Sequence, residues 1–130
     1  MSFGMLRQHS LLVVDDDRAV REAITRVLEA EDYKVSSAAC SQDAFRHFSE
    51  NKIDIVLLDL SLGQEEGWEI FRALKKRQPN LPIIVISARA DELAHSSVND
   101  VSGVLEKPFD VPLLLNLLKQ VSDRAPAVKS

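Results

Sequence analysis

Short apolar runs alternate along the chain with longer segments in which apolar residues recur at helical spacing. The short runs are rich in branched side chains, which is typical of buried strands in a parallel sheet. The strand-helix order, repeated five times, predicts one α/β domain with a five-stranded doubly wound parallel sheet and five helices on both faces. The predicted strands are 10–15, 34–38, 53–59, 82–87 and 101–106, and the predicted helices are 18–31, 41–51, 67–78, 91–98 and 111–122.

Short polar side chains precede three of the predicted helices. Asp17, Ser41 and Asp110 are each expected to cap the helix that follows, because their oxygens can accept the free amides of a first turn. In the last helix, residues 111, 114, 115, 118 and 121 form a complete apolar stripe. Leu113 and Leu117 add a second apolar row, which either packs under the neighbouring helix or forms a contact with a protein partner or a second copy of the chain.

Composition limits the classes of protein that remain. A chain of 130 residues suits one core, and we expect a lead-in over 1–9, a domain over 10–122 and a tail or start of a linker over 123–130. The net charge of −4 argues against direct contact with nucleic acid, and no apolar run approaches the about 20 residues of a membrane span. Cys40 is the single cysteine, so no internal disulfide is possible. A reducing cytoplasm is the expected location.

Polar side chains follow four of the apolar strands at the point where each strand ends. They are the carboxylates of Asp15 and Asp16, the carboxylate of Asp59, the hydroxyl of Ser87 and the amine of Lys107. Because ligands bind beyond the carboxyl ends of the strands in open α/β sheets, we expect all of these groups to converge on Asp59. Each has an ordinary interpretation as a turn, cap or solvated residue when taken singly. Their coincidence at four strand ends favours one site.

The chemistry of this set suits the acceptance of a phosphoryl group. Three carboxylates in one crevice repel each other unless a proton or a cation lies among them, and oxygen ligands suit Mg²⁺. A carboxylate beside Mg²⁺ can act as a nucleophile. Lys107 and Ser87 offer a positive charge and a hydroxyl donor for the phosphoryl oxygens.

The chain resembles the receiver domain of two-component response regulators over about residues 10–122. The resemblance implies a flavodoxin-like fold with strand order 2-1-3-4-5. The residues that carry it are Leu-Leu-Val-Val-Asp-Asp-Asp at 11–17, Asp-Ile-Val-Leu-Leu-Asp-Leu at 54–60, Gly-Trp-Glu at 67–69, Pro-Ile-Ile-Val-Ile-Ser-Ala at 82–88 and Leu-Glu-Lys-Pro-Phe at 105–109.

The resemblance implies a role for each strand-end residue. Asp59 is the expected phosphoacceptor, Ser87 and Lys107 are expected to bind the phosphoryl group, and the Lys107-Pro108 bond is expected to be cis. The implied donor is a phosphohistidine on a sensor histidine kinase or a histidine phosphotransfer domain. The protein would catalyse its own phosphorylation and dephosphorylation and change its protein contacts, so it would be a switch rather than a turnover enzyme.

The resemblance also implies a Mg²⁺ site. The expected ligands are Asp15, Asp16, Asp59 and the backbone carbonyl of Ser61.

Three features depart from the family's usual pattern. Gly63 stands where a proline is usual, which predicts a more flexible loop after Asp59. The 20 residues from Ser87 to Lys107 are fewer than usual, so the predicted helix near 91–98 is expected to be short or irregular. Val104 replaces a usual aromatic residue, so an aromatic ring cannot report the switch. The acceptance of phosphate is expected to be intact, and the output is expected to be unusual.

Two other functions are compatible with part of this pattern. A degenerate receiver would act as a protein-binding scaffold that needs no phosphorylation, and the full set of strand-end residues argues against it. A phosphatase of the haloacid dehalogenase type also uses a strand-end aspartate with Mg²⁺, and residues 15–17 contain an Asp-x-Asp motif. That family wants threonine or valine where this chain has Ala19, and it usually needs a longer chain.

Overall fold

The computed structural model describes residues 9–60, 64–88 and 101–124, and within them strands and helices alternate. No helix in this described part is long and apolar enough to cross a membrane. The strands are β1 (Ser10–Val14), β2 (Lys34–Ala38), β3 (Ile55–Asp59), β4 (Ile83–Ser87) and β5 (Gly103–Glu106), and the helices are α1 (Arg18–Ala30), α2 (Ser41–Glu50), α3 (Gln64–Arg77) and α4 (Val111–Arg124).

The five strands form one parallel sheet in the order β2-β1-β3-β4-β5. The predicted fold class and strand order are therefore confirmed. The more polar β2 lies at one edge of the sheet and β5 at the other, whereas β1, β3 and β4 are buried on both faces. Their continuous runs of leucine, isoleucine and valine match that position, because both faces of a central parallel strand pack against helices.

Two apolar cores lie on opposite faces of the sheet. Helices α2 and α3 cover one face, where Phe71 and Leu74 pack on the even-numbered residues of β1 and β3. Helices α1 and α4 cover the other face, where Leu28 and Leu118 pack on the odd-numbered residues. This alternation follows from the strand geometry, in which successive side chains point to opposite faces.

Two of the three predicted caps are confirmed. The side chain of Asp17 accepts hydrogen bonds from the amides of residues 19 and 20 at 2.9 and 3.2 Å, and Asp110 Oδ1 accepts one from the Leu113 amide at 2.9 Å. The predicted cap at Ser41 is wrong: the cap position of α2 is Cys40, which makes no side-chain cap hydrogen bond. Ser41 already lies in the helix, because the chain leaves β2 with only two residues before α2 begins.

Helix α3 begins three residues earlier than predicted, at Gln64 instead of Gly67. Gly67 is helical and buried, and a Cβ placed on it would lie 2.5 Å from Leu60 Cδ2. The glycine therefore permits close packing of α3 on Leu60 and is not the first residue of the helix. Gln64 and the two glutamates that follow it are good helix formers, which favours the longer helix. The predicted helix over 91–98 lies outside the described residues, which contain four helices.

Helix α4 follows the predicted apolar stripe except at its first residue. Leu114, Leu118 and Val121 are buried, but Val111 is 42% exposed, so its predicted place in the core is wrong. The second row divides: Leu113 is 51% exposed, whereas Leu117 packs over Gly103, where a Cβ would meet its methyl groups at 3.0–3.1 Å.

Two leucines of α4 provide a matched test of this packing. We expect Leu118→Ala to lower the free energy of unfolding by about 2–5 kcal/mol, because it leaves a cavity in the core. We expect Leu113→Ala to change it by less than about 0.5 kcal/mol, because the side chain is largely exposed. Urea unfolding followed by circular dichroism measures both. Equal losses for the two variants would contradict this description of α4.

Candidate functional site

The carboxyl edge of the sheet carries a buried carboxylate at its centre. Asp59 is the last residue of β3 and is 1% exposed. The register pairs Asp59 with Ile86 of β4 and Val14 of β1 with Leu58, so Asp15 and Ser87 both lie beside the end of β3. Ser87 is buried as well, and its carbonyl accepts a hydrogen bond from the Lys107 amide at 2.8 Å.

Lys107 forms an ion pair with Asp59 across this edge. Its Nζ lies 2.5 Å from Asp59 Oδ2, and its side chain is 29% exposed. Burial lowers the pKa of the Lys107 ammonium, but the hydrogen bond and the negative charge of Asp59 outweigh that effect, so the pKa is raised above its ordinary value. The ammonium therefore stays charged. The Lys107-Pro108 bond is cis, as the sequence predicted.

Asp15 brings a second carboxyl group against Asp59. Its side chain is 1% exposed, and its Oδ1 accepts a hydrogen bond from the Asp17 amide at 2.9 Å. Its Oδ2 is buried and has no hydrogen-bond partner among the described residues. Asp59 lies within hydrogen-bonding reach, and a bond between the two carboxyl groups forms only when one of them carries a proton.

The burial of Asp15 and its closeness to Asp59 change the pKa of its carboxyl group. Burial, followed by the hydrogen bond and the negative charge of Asp59, raises the pKa of the Asp15 carboxyl from 3.8 to about 7, against the opposing effects of the Asp17 amide and Lys107. Two carboxyl groups therefore share one ammonium. A proton on Asp15 or a bound cation would balance the remaining negative charge.

The arrangement fits a hard divalent cation, although it is not a complete cage. Within residues 9–60, 64–88 and 101–124, no three His, Cys, Asp or Glu side chains are grouped to hold a metal. Mg²⁺ commonly uses one or two carboxylates and keeps several waters, so the carboxylates of Asp15 and Asp59 would be enough to hold it. Asp16 is exposed next to them. Ser61, the fourth predicted ligand, lies outside the described residues.

The profile of the response regulator receiver domain matches residues 11–119 of this chain. The chain belongs to this family.

Relatives and solved structures agree with that assignment. The chain is 32% identical over 117 residues to response regulator RR06 of Streptococcus pneumoniae and 35% identical over 117 residues to response regulator MprA of a Mycobacterium species, covering 88% of this chain in both cases. It superposes on a receiver domain from Clostridium thermocellum with a TM-score of 0.80, 26% identity and coverage of 89% of this chain and 95% of that one. A response regulator from Thermotoga maritima gives a TM-score of 0.80 at 28% identity, with coverage of 90% and 99%.

The receiver domain spans about half the length of these relatives, 54% of RR06 and 50% of MprA. A third relative, 31% identical over 111 residues, is the DNA-binding transcriptional regulator NtrC of a Bradyrhizobium species, of which the chain covers 23%. The expectation of no direct contact with nucleic acid is therefore not supported for the whole protein. The predicted domain limits and the cytoplasmic location stay predictions.

The structure brings together Asp15, Asp59 and Lys107, and it places Ser87 at the same edge. Sequence reasoning missed one residue that contacts this group. Arg21 on α1 donates a hydrogen bond from Nη1 to the backbone carbonyl of Asp15 at 2.9 Å. Its only sequence mark is its place one turn after the Asp17 cap, which does not distinguish it from a solvated arginine.

The raised pKa of Asp15 predicts how the stability of the metal-free receiver domain depends on pH. The folded state holds a proton on Asp15 more tightly than the unfolded state, whose carboxyl titrates near 3.8. The stabilisation is complete below that pH and is lost as the pH rises through about 7, with a slope of up to about 1.4 kcal/mol per pH unit.

Urea unfolding in EDTA across this pH range measures the effect. We expect Asp15→Asn, which carries no titrating group, to lose this part of the slope and to be more stable than the wild type at pH 7. Parallel pH profiles for the two proteins would show that Asp15 does not titrate in this way.

Proposed function

We propose that this receiver domain takes a phosphoryl group onto Asp59. The single observation that carries the proposal is the buried ion pair between Asp59 and Lys107, with the Asp15 carboxyl beside it. An aspartate that is shielded from water yet held in its charged form by an ammonium is suited to nucleophilic attack on phosphorus.

The donor is a phosphohistidine on a sensor histidine kinase or a histidine phosphotransfer domain. Asp59 forms the new phosphorus–oxygen bond while the phosphorus–nitrogen bond breaks and its electrons return to the imidazole of the donor. Lys107 Nζ then binds the added phosphoryl oxygens, and the Ser87 hydroxyl donates a hydrogen bond to one of them. These residues complete one transfer and leave the chain phosphorylated, so the domain acts as a switch rather than a turnover enzyme.

Asp15, Asp16, Asp59 and the carbonyl of Ser61 are the proposed ligands of Mg²⁺. When bound, Mg²⁺ would neutralise negative charge on the transferring phosphoryl group. The chain's own contribution is the unbalanced pair of carboxyl groups described above, and in particular Asp15 Oδ2, which is buried without a hydrogen-bond partner in the described part of the chain.

The output contact is proposed to involve the exposed side of α4. Leu113 is exposed there, whereas Leu117 of the same row is covered by β5. The partner is another protein or a second copy of the chain. Val104, which stands where the family usually has an aromatic residue, is 37% exposed on β5.

The proposed function is tested by the intact mass after incubation with acetyl phosphate and Mg²⁺. We expect the wild type to gain one phosphoryl group and Asp59→Asn to gain none, because the amide is not a nucleophile. Ser87→Ala serves as a second comparison and is expected to be phosphorylated more slowly, since a hydrogen-bond donor to the phosphoryl group is lost.

A wild type that binds Mg²⁺ but gains no phosphate from either acetyl phosphate or a phosphohistidine donor would exclude the phosphoacceptor function. That result would favour a scaffold that works without phosphorylation. Equal phosphorylation of the wild type and Asp59→Asn would show that the acceptor is another residue.

A further inference from the structure

The backbone of Asp15 is held from two sides. Its amide donates a hydrogen bond to the Ala38 carbonyl of β2 at 3.0 Å, and its carbonyl accepts one from Arg21 Nη1 at 2.9 Å. Its Oδ1 accepts the amide of Asp17 at 2.9 Å. Of these three contacts, the one from Arg21 is made by a side chain and comes from outside the strand and its turn.

The carbonyl that Arg21 contacts belongs to the peptide unit that joins Asp15 to Asp16. Because a peptide unit is planar, fixing its carbonyl oxygen also fixes the direction in which the chain enters Asp16. Arg21 therefore restrains both acidic residues at once. The amide of Asp15 is engaged with Ala38 and its Oδ1 with the Asp17 amide, so the Arg21 contact completes the hydrogen bonding of the Asp15 backbone.

Hydrogen bonds hold the first turn of α1, which carries Arg21. The Arg21 amide donates to the Asp17 carbonyl at 2.9 Å in the first turn of α1, and the Asp17 side chain caps that turn. Arg21 is partly buried, whereas Arg26 further along the same helix is exposed. A guanidinium is also well suited to this place, because it stays charged beside carboxyl groups and its planar fork is pre-organised.

We propose that Arg21 is a positioning residue for the metal and phosphoacceptor site: its hydrogen bond to the Asp15 carbonyl holds the peptide that joins the two proposed Mg²⁺ ligands Asp15 and Asp16. The inference rests on the proposed function, because it assigns those two residues to Mg²⁺. Arg21 acts through the backbone and does not touch the reacting atoms.

The test measures Mg²⁺ binding directly, by calorimetry or by the fluorescence of Trp68, the single tryptophan. We expect Arg21→Ala to raise the Mg²⁺ dissociation constant by about 10-fold, which is typical when a residue that orients a metal ligand is lost. Arg26→Ala, which removes the same charge from the same helix, is expected to leave it near the wild-type value. Arg21→Lys, which keeps the charge and one donor, is expected to lie closer to the wild type than Arg21→Ala does.

Phosphorylation by acetyl phosphate gives a second measurement. We expect the Mg²⁺ concentration for half-maximal rate to rise in Arg21→Ala by the same factor as the dissociation constant, and the rate at saturating Mg²⁺ to recover. If Arg21→Ala does not fold, Arg21→Gln replaces it, because glutamine is too short to reach the carbonyl from the same position.

Two results would overturn the inference. One is an unchanged Mg²⁺ dissociation constant in an Arg21→Ala protein that is less stable in EDTA, which would make the contact purely structural. The other is an equal loss of affinity in Arg26→Ala, which would reduce the effect to net charge. A wild type that binds Mg²⁺ without accepting phosphate would contradict the proposed function. The Mg²⁺ dissociation constants of the wild type, Arg21→Ala and Arg26→Ala would still decide the role of Arg21.

Discussion

At the carboxyl edge of the sheet, the structure depends on the pairing of one buried negative charge, that of Asp59, with the ammonium of Lys107. Asp59 is almost fully buried, and an isolated carboxylate there would cost several kcal/mol of solvation. Lys107 supplies the compensation from the end of β5, two strands away. A buried charge tolerates little displacement of its partner, so the strands that deliver Asp59 and Lys107 must be held in fixed register. The all-apolar interior of β1, β3 and β4 provides that constraint.

Strand register decides which chemical groups meet. The in-register pairing of β1 with β3 and of β3 with β4 places Asp15 and Ser87 on either side of Asp59. A slip of one residue in any of these strands would move its apolar side chains to the wrong core and its terminal polar residue away from the site. Successive side chains of β1 and β3 enter the two cores in strict alternation. The register that packs both cores is therefore also the register that assembles the site.

The sequence was sufficient for the features that depend on the periodicity of apolar residues and on the polar residues at the ends of the strands. The sheet, the caps at Asp17 and Asp110, and the meeting of Asp15, Asp59 and Lys107 were all predictable from these features, and the strand order was implied by the resemblance to the receiver family. The errors at Ser41, Gly67 and Val111 arise where tertiary geometry overrides local preference. A short connection moves a cap to Cys40, close packing on Leu60 places a glycine inside a helix, and the first residue of α4 stays exposed although it continues the apolar stripe. The contact of Arg21 with a carbonyl leaves no pattern in the sequence at all.

The charges of Asp15, Asp59 and Lys107 do not balance, and this imbalance favours the uptake of a proton or a cation. Two carboxyl groups face one ammonium, so a balanced state needs one more positive charge, which either a proton on Asp15 or a divalent cation can provide. A neutral residue in place of Asp15 would leave Asp59 and Lys107 as a balanced pair, but it would remove the carboxylate oxygens that a cation could bind. The buried Oδ2 of Asp15 costs folding free energy in the metal-free chain because it must be desolvated without a hydrogen bond. A cation bound to this oxygen would offset that cost.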